Sequence, residues 1–263
     1  MPTLQLDGVI KDYGREPQRV RALHGVNLAV EQGEFASIVG RSGSGKTTML
    51  DCIGLLMRPT AGRVLFDGID TGALTEPRRA ELRSRRIGFI FQDFDLLPTL
   101  TAMENVLLPL RYSGGDRREG RRRAQDLLAE VGLATRLDHR PTELSGGQQQ
   151  RVAIARSLIN QPSLVLGDEP MGEVDTETAD LLLGLMRRIN AETGATFLIV
   201  THDLDLAART DRIIRLRDGS VVDDTTPART ATPPPPPAAR GTSPSTPRPL
   251  GAPAPARGGE PPA

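Results

Sequence analysis

Apolar residues fall in short runs separated by glycine, proline and polar turns, and helical spacing is confined to a few longer stretches. LQLDGVIKD (4–12) and VRALHGVNLAV (20–30) carry partly alternating apolar positions with turn residues between them, the pattern of antiparallel strands. FASIV (35–39) reads as a buried strand and TMLDCIGLLM (48–57) as the helix that follows it. Pro59 and Gly62 then break the chain, and RVLFDG (63–68) predicts a strand with a turn. Residues 75–84 predict a helix, and IGFIFQ (87–92) is a β-rich apolar run ending in an amide. From Leu96 to about Ile159 the spacing is helical, with breaks at Pro98, Gly114, Gly115, Gly132 and Pro141. SLVLGDEP (163–170) and TFLIVTHD (196–203) are buried strands running into polar residues, with the capped amphipathic helix TETADLLLGLMRRINAET (176–193) between them. DRIIRLRDGSVVD (211–223) predicts a closing hairpin around Asp218-Gly219.

Chemistry gathers where the apolar runs end. Between the strand FASIV and its helix lies GRSGSGKTT (40–48), a G-x-x-x-x-G-K-[ST] loop in the strand–loop–helix setting that makes the motif meaningful. Gly40, Gly43 and Gly45 let the backbone turn tightly and bring N–H groups close to phosphate oxygens with no Cβ in the way. Those donors sit at a helix N-terminus, where unpaired N–H groups and the macrodipole favour an anion. Lys46 supplies a mobile charge for the β- and γ-phosphates, and the Thr47 hydroxyl is placed to ligate Mg2+.

Asp168 and Glu169 end a second strand and arrive beside the phosphate loop if the two strands are neighbours. Two adjacent carboxylates repel, so Asp168 is assigned to the metal and Glu169 to a base that polarises a nucleophilic water. Gln92, at the end of its own strand, is a candidate for the metal or the attacking water. His202 leaves its strand at the same edge, placed to sense a terminal phosphate, whereas His24 and His139 have no comparable setting. In LSGGQQQR (144–151), Ser145 is a good N-cap and two glycines open the helix with a bare, close-approach N-terminus, a second anion site or a plain cap. Tyr13 suits equally a purine-stacking aromatic and a half-buried strand tyrosine.

Composition narrows the class. Among 263 residues, 33 basic and 33 acidic side chains balance, so no whole-surface field favours nucleic acid or anionic lipid. Arginines cluster at Arg78, Arg79, Arg83, Arg85 and Arg86 and at Arg117, Arg118, Arg121, Arg122 and Arg123. Glu81, Asp116 and Glu119 are interleaved with them, and no aromatics alternate for base stacking, so a solvated or partner-facing helix is the better reading. No apolar run reaches the roughly 18 residues of a membrane span, and MPTLQLDGVI has no features of a secretory signal, so a cytosolic protein is expected. The single cysteine, Cys52, excludes an internal disulfide and reads as a small buried residue. Most of the 22 prolines lie beyond Asp224, where a disordered, locally polyproline tail (225–263) is expected.

In this order the motifs resemble the nucleotide-binding subunit of an ATP-binding-cassette transporter over residues 4–224. GRSGSGKTT matches the Walker A loop (Gly40, Arg41, Ser42, Gly43, Ser44, Gly45, Lys46, Thr47 and Thr48). Gln92 matches the Q-loop, Leu144, Ser145, Gly146, Gly147 and Gln148 the family signature, LVLGDE the Walker B strand and His202 the H-loop. Tyr13 lies where the family keeps its adenine-stacking aromatic. The resemblance implies an α/β fold with a P-loop NTPase (RecA-like) core sheet, an antiparallel β subdomain and a helical signature subdomain at about 96–160. It implies ATP and Mg2+ as ligands, with Glu169, His202, Lys46 and Gln92 catalytic and Thr47, Gln92 and Asp168 at the metal. It also implies a head-to-tail dimer in which the signature of one copy closes over the ATP of the other.

FQDFDLLPTLTAMENVLLPL (91–110) looks most like the branch of lipoprotein-release and macrolide-export ATPases and their cell-division relative. That likeness implies separate membrane permease subunits docking near 91–110, at the cytoplasmic face of the membrane. The alternative is a non-transport ATPase regulating a membrane partner. Two departures are local: Met171 stands where the family usually has threonine, and Glu173-Val174-Asp175 replaces its Asn-Leu-Asp or Ala-Leu-Asp.

Overall fold

The computed structural model describes residues 2–15, 17–114 and 116–225. The expected tail lies outside the described residues from 226 onward, as does the break at Gly115.

Among the described residues, ten strands form two sheets. The antiparallel sheet contains β1 (Leu4–Tyr13), β2 (Val20–Val30), β4 (Ala61–Phe66) and β5 (Ile69–Asp70), in the order β2-β1-β4-β5. The larger sheet contains β3 (Phe35–Val39), β6 (Ile87–Ile90), β7 (Leu164–Asp168), β8 (Thr196–Thr201), β9 (Arg212–Arg217) and β10 (Ser220–Thr225), in the order β10-β9-β3-β8-β7-β6. All of its pairings are parallel except the β9–β10 hairpin, which turns at Asp218 and Gly219 as the sequence predicts.

Every residue of β3 and β8 is buried, as expected of parallel strands covered on both faces. Period-2 alternation sends most side chains of β3, β7 and β8 into cores on the two faces of the sheet. Phe35, Val165, Phe197 and Ile199 pack on one face against α3 (Ala102–Leu107), α5 (Arg117–Glu130), α6 (Gly146–Leu158) and α7 (Thr176–Thr193). Ala36, Ile38, Leu166, Leu198 and Val200 face the other way, onto α1 (Lys46–Ile53) and the antiparallel sheet. The remaining α-helices among the described residues are α2 (Glu76–Arg86), α4 (Leu110–Ser113) and α8 (Leu204–Ala207).

Two expectations are corrected. The helix after the phosphate loop begins at Lys46, inside the motif, and ends at Ile53 rather than Met57, because Gly54 closes it and Leu55 turns to φ 58°. The strand carrying Asp168 is not the neighbour of β3, since β8 lies between β3 and β7. The carboxylate reaches the loop because α1 packs across both β7 and β8.

Candidate functional site

The loop of residues 40–45 leaves β3 at the C-terminal edge of the sheet and feeds α1. Two glycines are required sterically. A Cβ at Gly40 would overlap the Leu216 carbonyl and the Ser44 Oγ, and one at Gly45, which sits at φ 99°, would stand 2.6 Å from the Ala22 carbonyl. Gly43 also has positive φ, while Arg41 and Ser42 lie exposed on the outer turn. Lys46 is only 9% exposed and its Nζ donates to the carbonyls of Gly40 (2.7 Å) and Arg41 (3.1 Å), which holds the charge inside the curve of the loop. Ser44 Oγ is buried and has no partner among the described residues. A buried hydroxyl left so is costly unless a ligand satisfies it. The cradle, its internal cation and this unpaired donor fit a polyphosphate.

Tyr13, 42% exposed, places its hydroxyl 3.3 Å from Thr48 Oγ1 at the start of α1, and Lys11 Nζ lies 5.4 Å from the ring centroid. The aromatic therefore borders the phosphate loop with its ring partly exposed.

Asp168 closes β7, and the Thr47 hydroxyl is among the groups that act on its carboxyl. Burial, and then the neighbouring Glu169 carboxylate, push Asp168 above the usual carboxylate range, while the Thr47 hydroxyl and Lys46 pull it back. Glu169 leaves the strand at φ 45°, unusual for a residue with a side chain, and its amide donates to Val200 O at 2.9 Å. Its side chain is 16% exposed. Oε1 lies 2.8 Å from His202 Nδ1, which donates because a carboxylate only accepts, and Oε2 accepts from the His202 amide at 3.3 Å. The His202 ring is otherwise open, at 74% side-chain exposure.

The Thr47 hydroxyl and the Asp168 carboxylate make an all-oxygen donor pair, which suits a hard cation such as Mg2+. Among the described residues, no group of three or more His, Cys, Asp or Glu is arranged to hold a metal ion.

The other expected residues are placed less directly. Gln92 follows β6, and its Nε2 donates to Glu173 Oε1 at 3.0 Å; this bond, not one to Asp168, is the hydrogen bond its side chain makes. At the start of α6, Ser145 and Gln148 form a capping box, Gln148 N to Ser145 Oγ at 3.4 Å and Ser145 N to Gln148 Oε1 at 3.1 Å. Leu144 anchors that turn in the core at 7% exposure. Gly146 lies near the Glu173 carbonyl and the Phe94 ring, and a Cβ at Gly147 would stand 2.6 Å from Thr178 Cγ2.

Two contributors escaped the sequence. Gln150 is fully buried, with its Nε2 on the Pro170 carbonyl, tying α6 to the turn after Glu169. Asn105, also fully buried, donates to the carbonyls of Leu97, Leu100 and Thr101 and accepts from Leu97 N, which fixes the loop before α3. Polar residues within helical spacing were the only available hints. Cys52 is buried in α1, and burial pushes its thiol up to about 11, consistent with an inert small residue.

A glycine-walled anion cradle on a parallel sheet, with paired carboxylates and a histidine at the same edge, defines a P-loop nucleotide triphosphatase. Residues 23–172 match the family model described as ABC transporter, and the chain belongs to that family as an ATP-binding, ATP-hydrolysing subunit. It is similar to the lipoprotein-releasing system ATP-binding protein LolD of Anaeromyxobacter dehalogenans, 52% identical over 85% of this chain and 94% of that protein. It is also similar to the macrolide export ATP-binding/permease protein MacB of Syntrophobacter fumaroxidans, 48% identical over 84% of this chain but spanning only 31% of that longer protein. Among solved structures it is similar to the dimeric, post-hydrolysis ATP-binding cassette MJ0796 bound to ADP and Pi. That likeness has a TM-score of 0.78 and 43% identity, covering 85% of this chain and 98% of that one. No helix among the described residues is long and apolar enough to cross a membrane.

Proposed function

We propose that the chain binds Mg-ATP between Tyr13, the 40–48 loop and Asp168, dimerises head to tail with a second copy or a related cassette, and uses hydrolysis to drive separate membrane subunits. The observation that carries this reading is the clamp on Glu169. Its carboxylate sits one residue beyond Asp168, sheltered, and is held at both oxygens by His202.

Thr47, Asp168 and Gln92 are the residues that would hold Mg2+, which would supply positive charge to offset that of the phosphates. The loop N–H groups and Lys46 bind the β- and γ-phosphates and stabilise charge as it develops on the transferring phosphoryl group. Glu169 accepts the proton of the attacking water, oriented by the His202 Nδ1–H. The open side of the His202 ring meets the terminal phosphate. Leu144 to Gln148 of one copy then close over the ATP of the other, as the dimeric form of the similar MJ0796 cassette supports.

A cleft of about 470 Å3, lined in part by Phe89, Phe91, Asp95, Leu108, Pro109 and Tyr112, supports docking of a membrane subunit near residues 91–110. The relatives named for lipoprotein release and macrolide export support an export role at the cytoplasmic face of the membrane.

Glu169→Gln keeps the hydrogen-bonding shape but removes the base. It is expected to retain ATP while phosphate release falls by at least about 100-fold, the scale of general-base catalysis. Turnover at the wild-type rate would remove Glu169 from the role.

A further inference from the structure

We propose that Glu173 is a positioning residue for Gln92, fixing which end of the amide remains free for the metal. The inference rests on the reading of Gln92 as a metal contact. A carboxylate can only accept, so the 3.0 Å contact between Gln92 Nε2 and Glu173 Oε1 specifies the amide orientation. The NH2 end is taken up and the oxygen, the end that ligates a hard cation, is left available. An alanine at 173 would leave the amide free to rotate, and a neutral amide there would accept or donate and would enforce neither orientation strictly.

The carboxylate stands on a rigid base. Gly172 N donates to the Glu169 carbonyl at 2.9 Å, and the Pro170 carbonyl is bound by buried Gln150. Met171 is sunk in the core at 8% exposure, and Val174 packs against the same cluster. Gly172 also walls in Gln92, since a Cβ there would stand 3.4 Å from Gln92 Cγ and Cδ and 3.3 Å from the Glu169 carbonyl. Glu173 thus links the position of Gln92 to the turn that carries Glu169. Acting on a ligand from behind is a recognised way for a group outside the metal's own contacts to tune binding.

The test uses the full chain in a Glu169→Gln background with ATP present, and titrates Mn2+ as a paramagnetic stand-in for Mg2+, followed by EPR. In parallel, the 15N side-chain amide signal of Gln92 is recorded in protein without nucleotide. Glu173 is exposed, so its replacement should not unfold the chain. Glu173→Ala is expected to shift the Gln92 signal and weaken Mn2+ binding about fivefold, the effect of losing one solvent-exposed, charge-assisted hydrogen bond. Glu173→Gln, which still accepts through its carbonyl, should recover part of that loss. Unchanged or tighter Mn2+ binding in Glu173→Ala, while Gln92→Ala weakens it, overturns the proposal alone. If Gln92→Ala itself has no effect on the ion, the metal reading of Gln92 falls and this proposal falls with it.

Discussion

Two helices of this chain, α1 and α6, start beside glycines and present N-termini of similar chemistry, yet they are finished differently. The start of α1 is left open: its N-cap is Gly45, with no side chain to cap the first turn, and the adjoining Ser44 hydroxyl is buried without a partner among the described residues. The start of α6 is closed on itself by the reciprocal Ser145–Gln148 box. The open terminus carries its own cation, Lys46, and has the Asp168–Glu169 carboxylates at hand, so it is a site that one chain can largely build. The closed terminus has no such equipment. Gly147 is pressed against Thr178 and Gly146 lies beside the Glu173 backbone, which suits a surface that completes another molecule's site rather than one that holds a ligand alone.

The sharpest way to break this contrast is Lys46→Ala. Removing the cation from the open terminus should lower both nucleotide affinity and hydrolysis by at least about 100-fold, as loss of a preorganised electrostatic group does. Equilibrium ATP binding and phosphate release check it. Gly147→Ala addresses the closed terminus, where the new methyl must displace Thr178, whose hydroxyl is held by Asp175 at 2.7 Å. Hydrolysis should fall about tenfold while ATP affinity of the dilute chain stays within about twofold, because only transition-state contributions are disturbed. Equal losses in both measurements would erase the distinction between the two helix starts.

Smaller effects sharpen it. Ser145→Ala removes the cap of α6 and should cost about 1 kcal/mol of stability, read as a lower Tm. No such change is available at Gly45, where no side chain caps the helix. Next to Tyr13, the hydrogen bonds from Arg21 and then Arg19 hold Asp12 down to about 2. An acid whose folded pKa is depressed stabilises the fold above its ordinary value of about 4, and that contribution is lost as pH falls toward 2. Asp12→Asn should therefore lower stability in the neutral region and flatten the acid limb of a stability-against-pH curve, the two proteins converging near pH 2. Cys52, inside α1, should react slowly with a thiol reagent at neutral pH in the folded protein and quickly after denaturation, as its raised pKa and burial dictate.

How much of this could be read from the chain depended on the range of the forces involved. FASIV and TETADLLLGLMRRINAET fall on β3 and α7 residue for residue, because a buried parallel strand and a helix capped by Asp175 are specified by their own side chains. The phosphate loop was legible for the same reason. The end of α1 was not, since Leu55 turns to φ 58° in the core under tertiary packing that local spacing does not encode. Nor was the place of β8 between β3 and β7, which depends on pairings more than 100 residues apart, such as Ile38 with Val200. Gln92 was recognised from its position at a strand end, but its hydrogen bond to Glu173 joins residues 81 positions apart and has no trace in either local pattern.

The claim that most depends on two copies acting together is that the closed terminus of one chain completes the open terminus of another. Sedimentation of Glu169→Gln with ATP and Mg2+, with and without Gly147→Ala, measures it directly. The single variant should sediment as a dimer holding two nucleotides, and the double variant should bind ATP yet remain largely monomeric. A single variant that stays monomeric at saturating ATP, or a double variant that dimerises as readily as the single one, would show that the signature of a second copy is not what closes the site.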